Sequence, residues 1–159
     1  MAKQTPCTEF DITGLTEHLM FSITTLGGAA GAVFPDNDPE EAVSRRVNRA
    51  ARPALDAWHR RGLDGSVALG PGDFPARAAV GILSLEFLVH GWDYAVAMDR
   101  EIEVPDALAG FVLDVARGII TPEGRTSVGF GQPVELADNA TAFEQLLAFT
   151  GRTPGRRGG

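Results

Sequence analysis

ARAAVGILSLEFLVHGWDYAVAM, residues 76–98, is apolar on nearly every side when wound as a helix, through Val80, Ile82, Leu83, Leu85, Phe87, Leu88 and Val89. A helix with no polar stripe for solvent belongs in the middle of a bundle, covered from more than one direction. The same stretch nevertheless carries Glu86 and His90, four residues apart and therefore on one face, a turn from each other. Burying an unpaired carboxylate among Leu, Phe and Val is costly, and the usual remedies are a hydrogen-bonded partner, protonation or a cation. Imidazole and carboxylate one turn apart are half of a tetrahedral zinc site. On spacing alone, a buried Glu–His hydrogen bond is the plainer account, because this pair recurs by chance.

Working outward, Pro75 suits the first turn of that helix. Residues 62–74, GLDGSVALGPGDF, are rich in turn formers and hold one short apolar run, Val67 to Leu69, which predicts a loop with a brief strand. A helix is expected from about Pro39 to Arg61, opened by Glu40 and Glu41 and closed by Arg60, Arg61 and Gly62, with Pro53 kinking or splitting it. Asp11 can cap a helix from Ile12, in which Ile12, Leu15, Leu19, Ile23 and Leu26 recur at helical spacing up to Gly27 and Gly28. His18 then stands beside that apolar stripe.

On the C-terminal side, a helix after Pro105 carries Leu108, Phe111, Val112, Val115 and Ile119 until Pro122 stops it. Residues 121–140 read as a long connection. Thr141 and Glu144 have capping-box spacing ahead of a short helix that buries Phe143, Leu146, Leu147 and Phe149 and ends at Gly151. The expected class is all-α, an up-down helical bundle with a short irregular C-terminal segment and helix. It forms one domain over residues 5–154, with 155–159 as a disordered tail, and the sequence has no internal repeat.

With 159 residues the chain can bury a continuous core without disulfides, and Cys7 is its only cysteine, so nothing points to an oxidising compartment. The N-terminus lacks a signal-peptide apolar run, and no stretch approaches the roughly 18 apolar residues of a membrane span. A cytoplasmic protein is expected. The formal net charge of −7 disfavours nucleic acid and anionic lipid as partners. The basic residues of GRTPGRRGG, residues 151–159, have no apolar anchors and read as a frayed tail.

Three histidines are available to join Glu86. His59 lies in WHRRG at the charged end of a helix, where a solvated position is the simpler reading. His18, taken alone, reads more readily as a half-buried histidine than as a ligand. Asp93 follows Glu86 by seven residues and either orients a ligand histidine or sits on the helix surface paired with solvent. Trp92 reads as core or pocket wall. Cys7, in a loop with no adjacent histidine to activate it, reads as a structural thiol.

TPCTEFDITGLTEHL (residues 5–19), LEFLVHGWDYAVA (85–97) and FGQPVELADNATAFEQLLAFTGRTP (130–154), in that order, resemble the DinB-like metal-binding superfamily. The branch they resemble is the actinobacterial one related to mycothiol-dependent maleylpyruvate isomerase. The His-Gly-Trp-Asp run at 90–93 is the most distinctive piece. The resemblance implies a four-helix bundle with a divalent metal, zinc first, held by His18, Glu86 and His90. Relatives carry a long amphipathic helix before the TPCxE segment, where this chain has four residues, so one bundle helix is expected to be missing. Either the reading frame begins late, or the helix at 105–120 or a second subunit fills the groove along Leu83 and Phe87, and a homodimer is the expected association.

Three protein ligands leave zinc an open position, the arrangement of a catalytic site. The resemblance implies a transferase or isomerase that uses a low-molecular-weight thiol, mycothiol or similar, on a small electrophilic substrate. The alternatives are a metal-dependent hydrolytic or cyclising enzyme of small-molecule metabolism, and a metal-binding module without catalysis.

Overall fold

The structure is a computed structural model and describes residues 4–7, 9–125 and 130–155. Five helices and one hairpin follow in the order α1 (Ile12–Ala29), α2 (Val43–Arg61), β1 (Ser66–Leu69), β2 (Gly72–Pro75), α3 (Ala76–Ala97), α4 (Asp106–Ile119) and α5 (Ala142–Phe149). The architecture is mainly helical, as expected, with one small hairpin added to the helices. Residues 156–159 of the expected tail lie outside the described residues.

Asp11 caps α1 as its sequence suggests, its carboxylate accepting from the Gly14 N–H at 2.9 Å. The helix runs through Gly27 and Gly28 rather than stopping there. Gly27 is required by packing, since a Cβ at that position would stand 2.6 Å from the Ala54 Cβ of α2. In α2, Pro53 neither splits nor ends the helix, and Val43, not Pro39, begins it. Ala50, Ala54, Ala57 and Trp58 are all buried along α2, so packing on both sides of Pro53 outweighs the one hydrogen bond it removes.

Gly28 has nothing within 4 Å of where its Cβ would be. The two neighbours should therefore respond with opposite signs. Gly28→Ala should gain up to about 1 kcal/mol from helix propensity. Gly27→Ala should lose about 1–2 kcal/mol net, because Ala54 cannot rotate away and α2 must shift. Urea unfolding of both variants checks this, and equal stabilisation would show that α1 and α2 do not approach so closely.

The single strand expected near Val67 is half of an antiparallel hairpin, with Ser66 opposite Pro75 and Leu69 opposite Gly72. Gly70, at φ +65°, and Pro71 make the two-residue turn that this chirality favours. Val67 is buried and Phe74 packs beside it on the core. The Arg61 guanidinium, at the end of α2, donates to the Gly62 and Asp64 carbonyls of the connecting loop at 3.0 and 2.9 Å and to the Ser66 carbonyl of β1, which fastens the hairpin to that helix.

α3 is apolar all round because two cores share it. Leu83, Ala79 and Ala76 face one core with Leu19, Met20, Ile23 and Leu26 of α1, Ala54 and Trp58 of α2, and Val67. Leu85 and Val89 face the other, with Val112, Leu113 and Ala116 of α4, Leu146 of α5 and Phe130. The expected open groove along Leu83 and Phe87 is absent: Leu83 is buried and Phe87 packs against the first core. α1 and the hairpin supply that cover, while α4 lies on the opposite face of α3. Among the described residues, no helix is long and apolar enough to cross a membrane.

Candidate metal centre

α1 and α3 pack directly against each other, and two polar side chains of α1 converge on one carboxylate of α3. His18 and Ser22, one turn apart on α1, both reach Glu86 of α3. His18 Nε2 lies 2.9 Å from Glu86 Oε2, and the Ser22 hydroxyl donates to the same oxygen at 3.0 Å. From the next turn of α3, His90 Nε2 stands 3.5 Å from it. One ligand atom from each of His18, Glu86 and His90 lies within 4.8 Å of the others. The three sequence candidates are therefore brought together, and the group can hold a metal ion.

His90 is held from behind. Its Nδ1 is 3.0 Å from Asp93 Oδ2, and Asp93 is wholly buried, which excludes the solvent-paired surface position. Arg152, on the chain just past α5, donates from Nη2 to Asp93 Oδ2 at 2.8 Å and from Nε to Oδ1 at 3.3 Å. Its Nη1 donates to the Thr150 carbonyl at 2.8 Å, and its guanidinium lies over the Phe130 ring. The first part of the expected frayed tail is thus buried structure: Arg152 is 3% exposed.

Burial pushes both carboxyls toward protonation, but their partners outweigh it. For Glu86 these are the hydrogen bond with His18, the charges of His90 and His18, and the Ser22 hydroxyl, and its pKa falls below the ordinary carboxylate value. For Asp93 the hydrogen bonds from His90 and Arg152 and the charge of Arg152 do the same. His18 moves up, because its hydrogen bond to Glu86 exceeds the effect of burial. Both carboxylates are anions near neutral pH.

Whether these residues suit a cation is decided at His90. An ionised Asp93 only accepts, so the proton between them belongs to His90 Nδ1, and in the neutral imidazole the lone pair is then on Nε2. That Nε2 is buried and, among the described residues, has no hydrogen-bond partner. A proton shared between His18 and Glu86 satisfies those two groups and leaves His90 Nε2 bare. A cation among the three satisfies them all, and the donor set of two imidazoles and a carboxylate suits zinc.

The remaining sequence candidates divide cleanly. His59 is exposed on α2, Cys7 is buried ahead of α1, and Trp92 is half-buried beside Asp93. Phe10 stacks on the His18 ring with centroids 5.0 Å apart, and His18 meets the His90 ring edge-on at 5.1 Å. Sequence reasoning missed Ser22 and Arg152. Ser22 could have been found as the next residue on the His18 face, whereas Arg152 had one signal only, the need of a buried Asp93 for a cation.

Two proteins of Mycobacterium tuberculosis resemble the chain, uncharacterized protein MT0763 of strain CDC 1551 / Oshkosh and uncharacterized protein Rv0738 of strain ATCC 25618 / H37Rv. Each is 30% identical over 156 residues, covering 94% of this chain and 83% of the relative. No family model and no solved structure matches. At that identity and coverage, the chain belongs to the family of these two mycobacterial proteins.

Proposed function

We propose that the protein is a metal-dependent enzyme of the DinB-like kind, in which His18, Glu86 and His90 hold one divalent cation, zinc first. Its reaction is the transfer of a low-molecular-weight thiol of the mycothiol type to a small electrophile, or a thiol-assisted isomerisation of one. The observation that carries the metal reading is the buried His90 Nε2, bare of hydrogen bonds and turned by Asp93 toward Glu86 and His18. The thiol reading rests on the resemblance carried by TPCTE at 5–9 and HGWD at 90–93.

A divalent cation in such a site lowers the pKa of a thiol or water that reaches it and so supplies a nucleophile near neutral pH. The chain's own groups set the terms. Two neutral imidazoles and one carboxylate contribute a single negative charge against a divalent ion, so the site attracts an anion. Access is from the α1 side, because the His18 side chain is 29% exposed while those of Glu86 and His90 are 9% and 2%. Phe10, stacked on His18, walls that approach.

Protein purified without metal-affinity steps should contain about one zinc per chain by elemental analysis. Metal content near zero would sink the proposal. With cobalt in place of the native metal, millimolar mycothiol, cysteine or glutathione should add an intense sulfur-to-cobalt charge-transfer band. Loss of that band in Glu86→Ala would tie it to this site. A cobalt spectrum indifferent to all three thiols would remove the thiol chemistry and favour a metal-dependent hydrolytic or cyclising reaction.

A further inference from the structure

We propose that Arg152 is a positioning residue for the metal centre: through Asp93 it fixes the tautomer and direction of His90. This rests on the metal reading above for its consequence, and on the geometry of the three side chains for its mechanism.

The chain of contacts is continuous and buried throughout. Arg152 grips both oxygens of Asp93, Nε on Oδ1 and Nη2 on Oδ2, so the carboxylate plane cannot swing. Asp93 Oδ2 then takes the His90 Nδ1 proton at 3.0 Å. Arg152 is itself fixed by its bond to the Thr150 carbonyl and by the Phe130 ring under its guanidinium. The three residues are 3%, 0% and 2% exposed, so no water competes for these bonds. Without the Arg152 fork, Asp93 can rotate, and His90 is then free to place its own proton on Nε2. An imidazole protonated at Nε2 has no lone pair to offer Glu86 and His18's side of the site. The segment after α5, 59 residues from Asp93 in sequence, thereby sets the readiness of a site built on α1 and α3.

The competing account is that Arg152 only staples the C-terminal segment. Arg125 provides the control, since it is equally buried at 3% and donates to the Gly131 and Phe149 carbonyls at 3.0 and 2.6 Å. The experiment measures cobalt(II) affinity by chelator competition and, in metal-free protein, the His90 tautomer from its imidazole nitrogen shifts. Native protein should show the Nδ1–H form. Arg152→Met should weaken cobalt by about 10–100-fold and give mixed tautomers, the loss typical of removing a group behind a ligand. Arg125→Met should do neither, although it also loses stability.

Should Arg152→Met fail to fold, Arg152→Lys keeps the charge without the planar fork and should still weaken cobalt by about threefold or more. Native affinity with a native His90 tautomer, in whichever Arg152 variant folds, would overturn the proposal. A tautomer shift in a protein that binds no cobalt at all would sink the metal reading and leave the Arg152–Asp93–His90 relation standing.

Discussion

A His90→Ala variant is expected to lose at least about 100-fold in zinc affinity, more than the about 10–100-fold that follows from disturbing a group behind a ligand. The reason is geometric. His90 Nε2 is the one donor of the three that the metal-free side chains leave unsatisfied, so it is the donor dedicated to the cation. His18 and Glu86 retain each other at 2.9 Å, with Ser22 on the same oxygen, and no longer need a metal. Stability should also fall, by about 2–4 kcal/mol, for the cavity left by a 2% exposed ring and for the donor lost to Asp93. His59→Ala is the matched control, exposed on α2 and expected to keep full metal content. Elemental analysis with calorimetric titration reads both variants, and an unchanged affinity in His90→Ala would exclude it as a ligand.

The largest loss of stability should come from Asp93→Ala. It strands Arg152, 3% exposed, with its charge facing an apolar void beside Phe130 and His90. Breaking a buried pair by removing one partner costs about 3–5 kcal/mol, because the remaining charge keeps its desolvation penalty. At about 2–4 °C per kcal/mol for a chain of this size, the melting temperature should drop by about 6–20 °C. Combining Asp93→Asn with Arg152→Met removes the charge at both ends, so it should be less damaging than Asp93→Ala alone. Scanning calorimetry of the single and combined variants measures the coupling, and a strictly additive result would mean that the pair is not an energetic unit.

Much of the helical framework was legible in local chemistry. Pro105 and Pro122 bracket α4, and Thr141 with Glu144 forms the capping box that starts α5, its two reciprocal bonds both present. Where local rules misled, packing or backbone pairing decided. Pro53 survives inside α2 because buried alanines hold the helix on either side of it. β2 went unseen because GDFP has one apolar side chain, Phe74, and is a strand by virtue of its ladder with β1.

The site divides along the same line. Glu86 and His90 declare themselves by being polar at helical spacing on an apolar helix, and His18 joins them through the family resemblance. Asp93 was ambiguous until burial settled it. Arg152 lay in a glycine- and arginine-rich run that resembles a solvated end, and a single long-range ion pair leaves no period in a sequence.

The Asp93–Arg152 pair also orders events during synthesis. A chain made from its N-terminus brings α1 and α3 into existence before any residue beyond α5 has been joined. For that interval Asp93 has His90 beside it but lacks its cation, which is still 59 residues away in the message. That buried carboxylate is therefore closed only by residues added after α5. Translation that stops short of Arg152 yields a polypeptide with its helices complete and its centre unlatched.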